Sequence, residues 1–452
     1  SFKKEPLAFI LYFMDLITRA LLTRLTAYFL IGASYMYYLS IFAPLGTDWL
    51  DWHAQRIFNA VEYVRLNGYF SSFGFSIWSS CVDCSYQSTE WTDKIYLSTI
   101  IFPLSPYILI NHFGGKEALF FYGPLLAQMV IVITGVLIAE IGAKLLKSSF
   151  PNFIVSIAIF ILFLSSPWVY KMLIAGWSEV FFIFFLLIGL LHLHFKKSNW
   201  ALLFFFLAGL FNYIWGTFVG IFYLAILILP NFIQNQSALS LYLPSIFSGS
   251  KFKRLLVPSA LILPLILQSC LRFYTSINLS ATSGSSMLER LGVSGQDPHN
   301  GGILGALQFL AGNRVSTCIP NSGLAIIPEN LNNSIFIFNC SLSLLGMTII
   351  SLLSIVGMSL LLNNNHNARK IFVPIIFAFF VFIMVFQQAL SVHLMGFSYV
   401  FAIFFALGIA SLINYSSKYF SSLALNIIFA APLVVGLILL STRVSFLTGL
   451  NG

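Results

Sequence analysis

The chain has 452 residues, of which 23 are Lys or Arg and 14 are Asp or Glu, so charged residues make up 8% where a soluble domain carries about 25%. With 59% apolar residues, 48 Phe and a mean hydropathy of +0.91, it has more apolar surface than one globular core can bury, which excludes a water-soluble fold. A net charge of +9 would suit a nucleic-acid partner, but in so apolar a chain it reads as the cytoplasmic bias of Lys and Arg in membrane proteins, and no nucleic acid is expected to bind.

Taken in chain order, residues 1–24 are a cytoplasmic or interfacial segment. Its stretch 5–22 is apolar, with Asp15 and Arg19 spaced i, i+4, and is expected to lie flat at the membrane. Apolar spans follow at 25–45, 118–143, 152–167, 177–195, 200–212, 215–230, 255–275, 335–362, 370–388, 394–414 and 420–441. The expected fold is an all-α polytopic membrane protein of about eleven transmembrane helices, with interfacial helices in the first non-cytoplasmic loop.

Alternate threading with the N-terminus cytoplasmic puts Lys144, Lys147, Lys196, Lys197, Arg369 and Lys370 inside and leaves the C-terminus outside. Asp48, Asp51, Glu62, Asp83, Glu90 and Asp93 then gather on the non-cytoplasmic side. Two outer loops, 46–98 and 276–334, are larger than a connector needs to be. The inner loop 231–254 ends in Lys251-Phe252-Lys253-Arg254, expected to anchor on anionic lipid heads, and the organisation is completed by a module over 25–230 and a C-terminal transmembrane region over 255–452. The inner turns at Lys196-Lys197, from Asn363 to Lys370 and at Ser416-Ser417-Lys418 read as hydrophilic connectors and nothing more, and His192 and His194 as interfacial side chains.

Five Cys sort by this topology. Cys270 lies in a span and is expected to be a buried small apolar side chain. Cys81 and Cys84 fall in the first outer loop, and Cys318 and Cys340 in or at the end of the second, where an oxidising compartment favours disulfides Cys81–Cys84 and Cys318–Cys340. No βαβ pattern supports a redox role for Cys81-Val82-Asp83-Cys84, and no second ligand pair supports zinc.

The first outer loop opens with Asp48-Trp49-Leu50-Asp51-Trp52-His53. Beyond it Ile57, Ala60, Val61 and Val64 alternate with Arg56, Asn59, Glu62 and Arg65, the pattern of an amphipathic helix that ends near Gly68 and lies along the interface. Asp48 or Asp51 can be a helix cap. Either can equally be a general base, held where partial desolvation raises a carboxyl pKa towards neutrality and where a lipid-borne substrate arrives from the bilayer.

An Asp after the first span, an aromatic or acidic neighbour and an amphipathic helix closing at Gly68 together resemble the first outer loop of the GT-C superfamily of membrane glycosyltransferases. Phe102-Pro103-Leu104-Ser105-Pro106-Tyr107 is similar to the family's Pro-rich segment. The resemblance extends through Phe113-Gly114-Gly115, Gly123-Pro124, Ser165-Ser166-Pro167-Trp168, Gly176-Trp177-Ser178-Glu179 and Asn212-Tyr213-Ile214-Trp215, covering about residues 25–230. It implies that this Asp is the catalytic base and that the donor is a polyprenyl-phosphate sugar, in the manner of the dolichyl-phosphate-mannose or aminoarabinose transferases. Many relatives place Asp-Glu or a like pair here, so Asp48 and Asp51 both remain candidates; the distance to Gly68 favours Asp51.

Five further residues are candidate substrate-binding groups: His53, Lys171, Glu179, Arg314 and His393. Glu179 is a carboxylate at the start of a span, either a functional group or a partner of the helix dipole, with Lys171, eight residues earlier, as its partner or a pyrophosphate contact. Relatives follow the residue near His393 with Arg-Tyr; here Leu394 and Met395 follow, so His393 is either the phosphate contact or a structural interfacial side chain. In the second loop Arg290, Asp297, His299 and Arg314 are the titratable or charged groups of interest. Asp297 and His299 with Asp51 would suit a divalent metal ion as cofactor, although two residues are too few to define a site.

The expected function is transfer of a sugar from a polyprenyl-phosphate donor to a glycan, lipid or protein acceptor on the non-cytoplasmic side. The alternatives are a non-catalytic subunit of a larger membrane complex and a transporter, which would show matching halves with charges at mid-membrane.

Overall fold

The computed structural model describes residues 22–37, 60–62, 64–65, 68, 75–78, 96–100, 102–146, 152–166, 169, 179–196, 199–228, 251–279, 333–385 and 394–416. Apart from one β pair, these residues are overwhelmingly helical.

Helix α1 covers 22–37, and a short helix α2 covers 60–62 and 64–65. α2 stops as its sequence requires. Gly68 takes φ +90° and donates its N–H to the Val64 carbonyl at 2.8 Å, a left-handed cap open to glycine at no steric cost. Strands β1 (Phe75–Trp78) and β2 (Tyr96–Ile100) then pair antiparallel, Trp78 opposite Tyr96, with a shift of register between Phe75 and Ile77.

A 3-10 turn (Phe102–Leu104) leads into α3 (Ser105–Leu146). Pro103 and Pro106 fall where a missing N–H costs no intrahelical hydrogen bond. Gly115, at φ +73° and ψ −172°, divides α3 into an opening segment and a long shaft. Within that shaft Phe121–Leu146, 26 residues with a mean hydropathy of 2.2, is the one helix among the described residues long and apolar enough to cross a membrane; at 1.5 Å per residue it spans about 39 Å.

The remaining helices are α4 (Asn152–Leu164), α5 (Glu179–Leu191) with a terminal π turn (His192–Lys196), α6 (Trp200–Phe211), α7 (Tyr213–Ile228), α8 (Lys251–Leu279), α9 (Asn333–Asn364), α10 (His366–Val385) and α11 (Leu394–Ser416). α4 lies on α3, α5 on α6, α8 on α6 and α7, α10 on α7, and α9 on α11; the β pair touches α8. Phe160, Phe163, Phe182, Phe205, Tyr223 and Phe372 are fully buried among them. A stack of Phe181, Phe185 and Phe211, with ring centroids 4.9 and 5.3 Å apart, joins α5 to α6.

α9 and α11 come closest. A Cβ added to Gly357 would collide with the Gly408 carbonyl, and one added to Gly408 with the Ser354 carbonyl, so the two backbones pack directly on one another.

Asparagines manage the helix ends. Asn212 alone separates α6 from α7: its N–H closes α6 on the Ala208 carbonyl at 3.0 Å, and its Oδ1 accepts the Trp215 N–H at 3.1 Å. Asn365 does the same between α9 and α10, its Oδ1 accepting the N–H groups of Asn367 and Ala368 at 2.9 and 3.1 Å. The Asn365 Nδ2 also donates to the Leu145 carbonyl at 2.7 Å, and the Asn414 Nδ2 to the Leu146 carbonyl at 2.9 Å. The turn from Asn363 to Lys370 is therefore not a mere hydrophilic connector. It caps two helices and holds the end of a third. Arg24 of α1 reaches the same end of α3, pairing with Glu140 at 3.1 Å, while the Tyr28 hydroxyl donates to that carboxylate at 2.9 Å.

The expectation for Cys270 is corrected. Its thiol is free and exposed on an outward stripe of α8 with Leu263, Ile266, Leu267 and Phe273, while Val257, Leu261 and Gln268 face inward. α8 is apolar on both faces in this stretch, so the pattern alone does not say which face turns in.

In an ordinary helix interior Gly→Ala stabilises by about 1 kcal/mol. Here Gly408→Ala is expected to reverse that sign and destabilise by about 1–3 kcal/mol, because the methyl displaces a packed backbone; thermal unfolding of the purified variant reads the direction.

Candidate functional site

The segment 46–98 meets the helical body through α2. Ala60, Val61 and Val64 are buried, Ala60 and Val61 in one cluster with Leu104, Tyr107 and Leu119 around the start of α3. The apolar stripe read from the sequence thus rests on protein.

The polar side of the same helix supplies its attachment. Glu62, placed on the solvated face by the helical pattern, is only 7% exposed. Its carboxylate accepts hydrogen bonds from Arg65 Nε at 3.0 Å and from Arg65 Nη2, one turn along the helix. Its Oε2 also accepts from Asn111 Nδ2 at 2.9 Å. Asn111 itself is 1% exposed, and its Oδ1 has no hydrogen-bond partner among the described residues. A buried carboxylate held by a guanidinium and an amide is ionised: the Arg65 hydrogen bonds, with smaller help from Asn111 and the charge of Lys116, hold Glu62 below its usual range against the opposing effect of burial. The pairing raises Arg65 in turn.

Glu62 is therefore committed to structure, and its lone pairs are occupied. What the Glu62–Asn111 link does is fix the loop helix against the opening segment of α3, just before the break at Gly115. Below it Tyr107 meets Phe181 edge-on at 6.5 Å and Phe102 meets Phe211 at 5.5 Å, so the Pro-rich segment sits on the ends of α5 and α6.

Asp48, Asp51, His53, Lys171, Arg314 and His393 lie outside the described residues, as do Cys81, Cys84, Cys318, Arg290, Asp297 and His299. Glu179 is the first residue of α5 and Cys340 lies within α9, but their side chains are not described. No group of three or more His, Cys, Asp or Glu that would hold a metal occurs among the described residues. Sequence reasoning missed Asn111. Its one signal is an amide inside the apolar run Ile108-Leu109-Ile110-Asn111, a position where a polar group needs a dedicated partner.

Comparison of the chain with protein-family models, with curated proteins and with solved structures finds no similar protein.

Because Glu62 is held below its ordinary value of 4.5, its contribution to stability is complete above about pH 4.5 and is lost as the pH falls through the lowered value. Glu62→Gln is expected to flatten that acid limb. Asn111→Leu, which removes a hydrogen bond to a buried charge, is expected to cost about 1–3 kcal/mol; thermal unfolding of both variants across the acid range checks each.

Proposed function

We propose that the chain is a multi-pass integral membrane glycosyltransferase of GT-C type, with its N-terminus cytoplasmic and its C-terminus on the opposite side. The donor is a polyprenyl-phosphate sugar, and the acceptor is a glycan, lipid or protein on the non-cytoplasmic side. The observation that carries this reading is the docking of the loop helix onto the start of α3 through Glu62 and Asn111, since it ties the segment after the first span to the Pro-rich segment that the superfamily also places before its second span. The membrane itself is supported by the outward side chains: Phe29, Leu30, Leu267, Val356 and Phe380 are exposed, an apolar exterior that lipid solvates and water does not.

In the proposed reaction Asp51 or Asp48 takes the proton of an acceptor hydroxyl as its oxygen attacks the anomeric carbon. The bond from that carbon to the phosphate oxygen breaks, polyprenyl phosphate leaves with the electron pair, and configuration inverts. His53, Lys171, His393 and Arg314 are the candidates to bear the developing phosphate charge, with Glu179 as a polar contact for the sugar. A divalent metal ion is a further candidate for that charge.

Asp51→Asn and Asp48→Asn, made singly and assayed for turnover of radiolabelled polyprenyl-phosphate sugars in membranes, should separate the base from the cap. The base variant is expected to lose at least about 100-fold in turnover. Full activity in both variants removes the proposed base. A wild-type protein that turns over no such donor yet co-purifies in a stable membrane assembly favours a non-catalytic subunit instead.

A further inference from the structure

The end of α5 is built unlike the other helix ends. Its last residues, His192–Lys196, form a π turn, a widened turn that is uncommon and recurs at functional positions. The His192 ring lies against Phe204, with centroids 5.2 Å apart. Two residues on, His194 is largely buried, and its Nε2 has no hydrogen-bond partner among the described residues. A buried ring nitrogen without a partner is destabilising unless something from outside completes it.

The surroundings decide what that partner can be. The π turn packs on the first turns of α10, and the charges facing His194 come from Lys370 and His366, with Arg369 beside them. Arg369 and Lys370 are half-buried, while Lys144 of α3 is exposed at the same end of the body. The first amides of α10 are already capped by Asn365, so side chains and not backbone N–H groups present themselves. The described carboxylate nearest the end of α3 is Glu140, and it is engaged by Arg24 and Tyr28. A cation is repelled here. An anion with several acceptor oxygens can take a hydrogen bond from the ring and is attracted by the positive charge of Lys370 and Arg369.

We propose that the π turn of α5 and the first turns of α10 form a binding site for the phosphate of an anionic lipid headgroup. The assignment to lipid rests on the membrane reading above, which places this end of the helices in the cytoplasmic leaflet. Negative lipids are concentrated in that leaflet, and basic pockets between helices take up their headgroups. His194 supplies the buried donor; Arg369 and Lys370, both half-buried, supply the charge.

The test uses the full-length protein purified in detergent, with phosphatidylglycerol, phosphatidylcholine or inorganic phosphate added, read by native mass spectrometry and by the shift in thermal unfolding. Wild type is expected to retain phosphatidylglycerol at least about tenfold more strongly than phosphatidylcholine, with Lys370→Gln and Arg369→Gln each weakening it about fivefold, at about 1 kcal/mol per charge. His194→Gln, which keeps a donor, is expected to hold the lipid, and His194→Phe to release it; the two charge variants decide the matter if His194→Phe does not fold. Equal retention of both lipids overturns the proposal, as does binding unchanged by the charge variants. Inorganic phosphate stabilising as well as the lipid overturns the lipid assignment. Failure of the protein to float with membranes sinks the membrane reading itself, an outcome separate from loss of lipid selectivity in a protein that does float.

Discussion

Each helix end leaves backbone groups that its own hydrogen-bond ladder cannot satisfy, and in a chain with so few charged residues the partners have to come from neutral side chains. Asparagine meets that constraint in this protein. A single amide offers both a donor and an acceptor, so Asn365 closes two helices with its backbone and Oδ1 while its Nδ2 secures a third. Asn414 repeats the contact one carbonyl further along, and Asn212 joins α6 to α7 with no other residue between them. The relative placement of α3, α9, α10 and α11 follows from these few bonds and from the backbone contact at Gly357 and Gly408.

The two ends of the molecule use polar groups differently. At the start of α3 an ionised carboxylate is enclosed, supplied with a guanidinium and an amide, and spent on holding a loop helix in place. At the far end of α3 the ion pair of Arg24 and Glu140 stays partly open, and basic side chains accumulate near an imidazole whose Nε2 has no partner among the described residues. The first arrangement is saturated apart from the Asn111 Oδ1, and it positions. The second gathers positive charge beside a buried ring nitrogen. Reading polar groups by whether their bonding capacity is filled separates structure from recognition more sharply than reading them by residue type.

Much of the helical layout is legible in the sequence, because continuous apolar runs bounded by polar residues are what long helices require. The runs at 152–167 and 200–212 contain α4 and α6, and Gly68 marks the end of α2 because the left-handed cap asks for that residue. Long-range partners are not legible. Nothing local connects Arg24 to Glu140, Glu62 to Asn111 or Asn365 to Leu145, since a pattern of period 3.6 reports one helix at a time. The β pair was hidden by its shortness within a segment read as loop, and Cys270 by a helix apolar on both faces. Of the candidate region, the amphipathic helix before Gly68 was legible, while the asparagine that anchors it came from the structure.

The clamps on α3 also impose a schedule on biosynthesis. Asn365 is 220 residues from Leu145 and Asn414 is 268 from Leu146, so the helix is finished long before its terminal carbonyls can meet their donors. At about 5–20 residues per second the wait lasts roughly 10–50 s. For that interval water, a chaperone or the translocation machinery has to solvate the exposed end. A ribosome stalled between residues 146 and 365 would leave a nascent chain whose longest helix is complete but still without the asparagine donors for its last carbonyls.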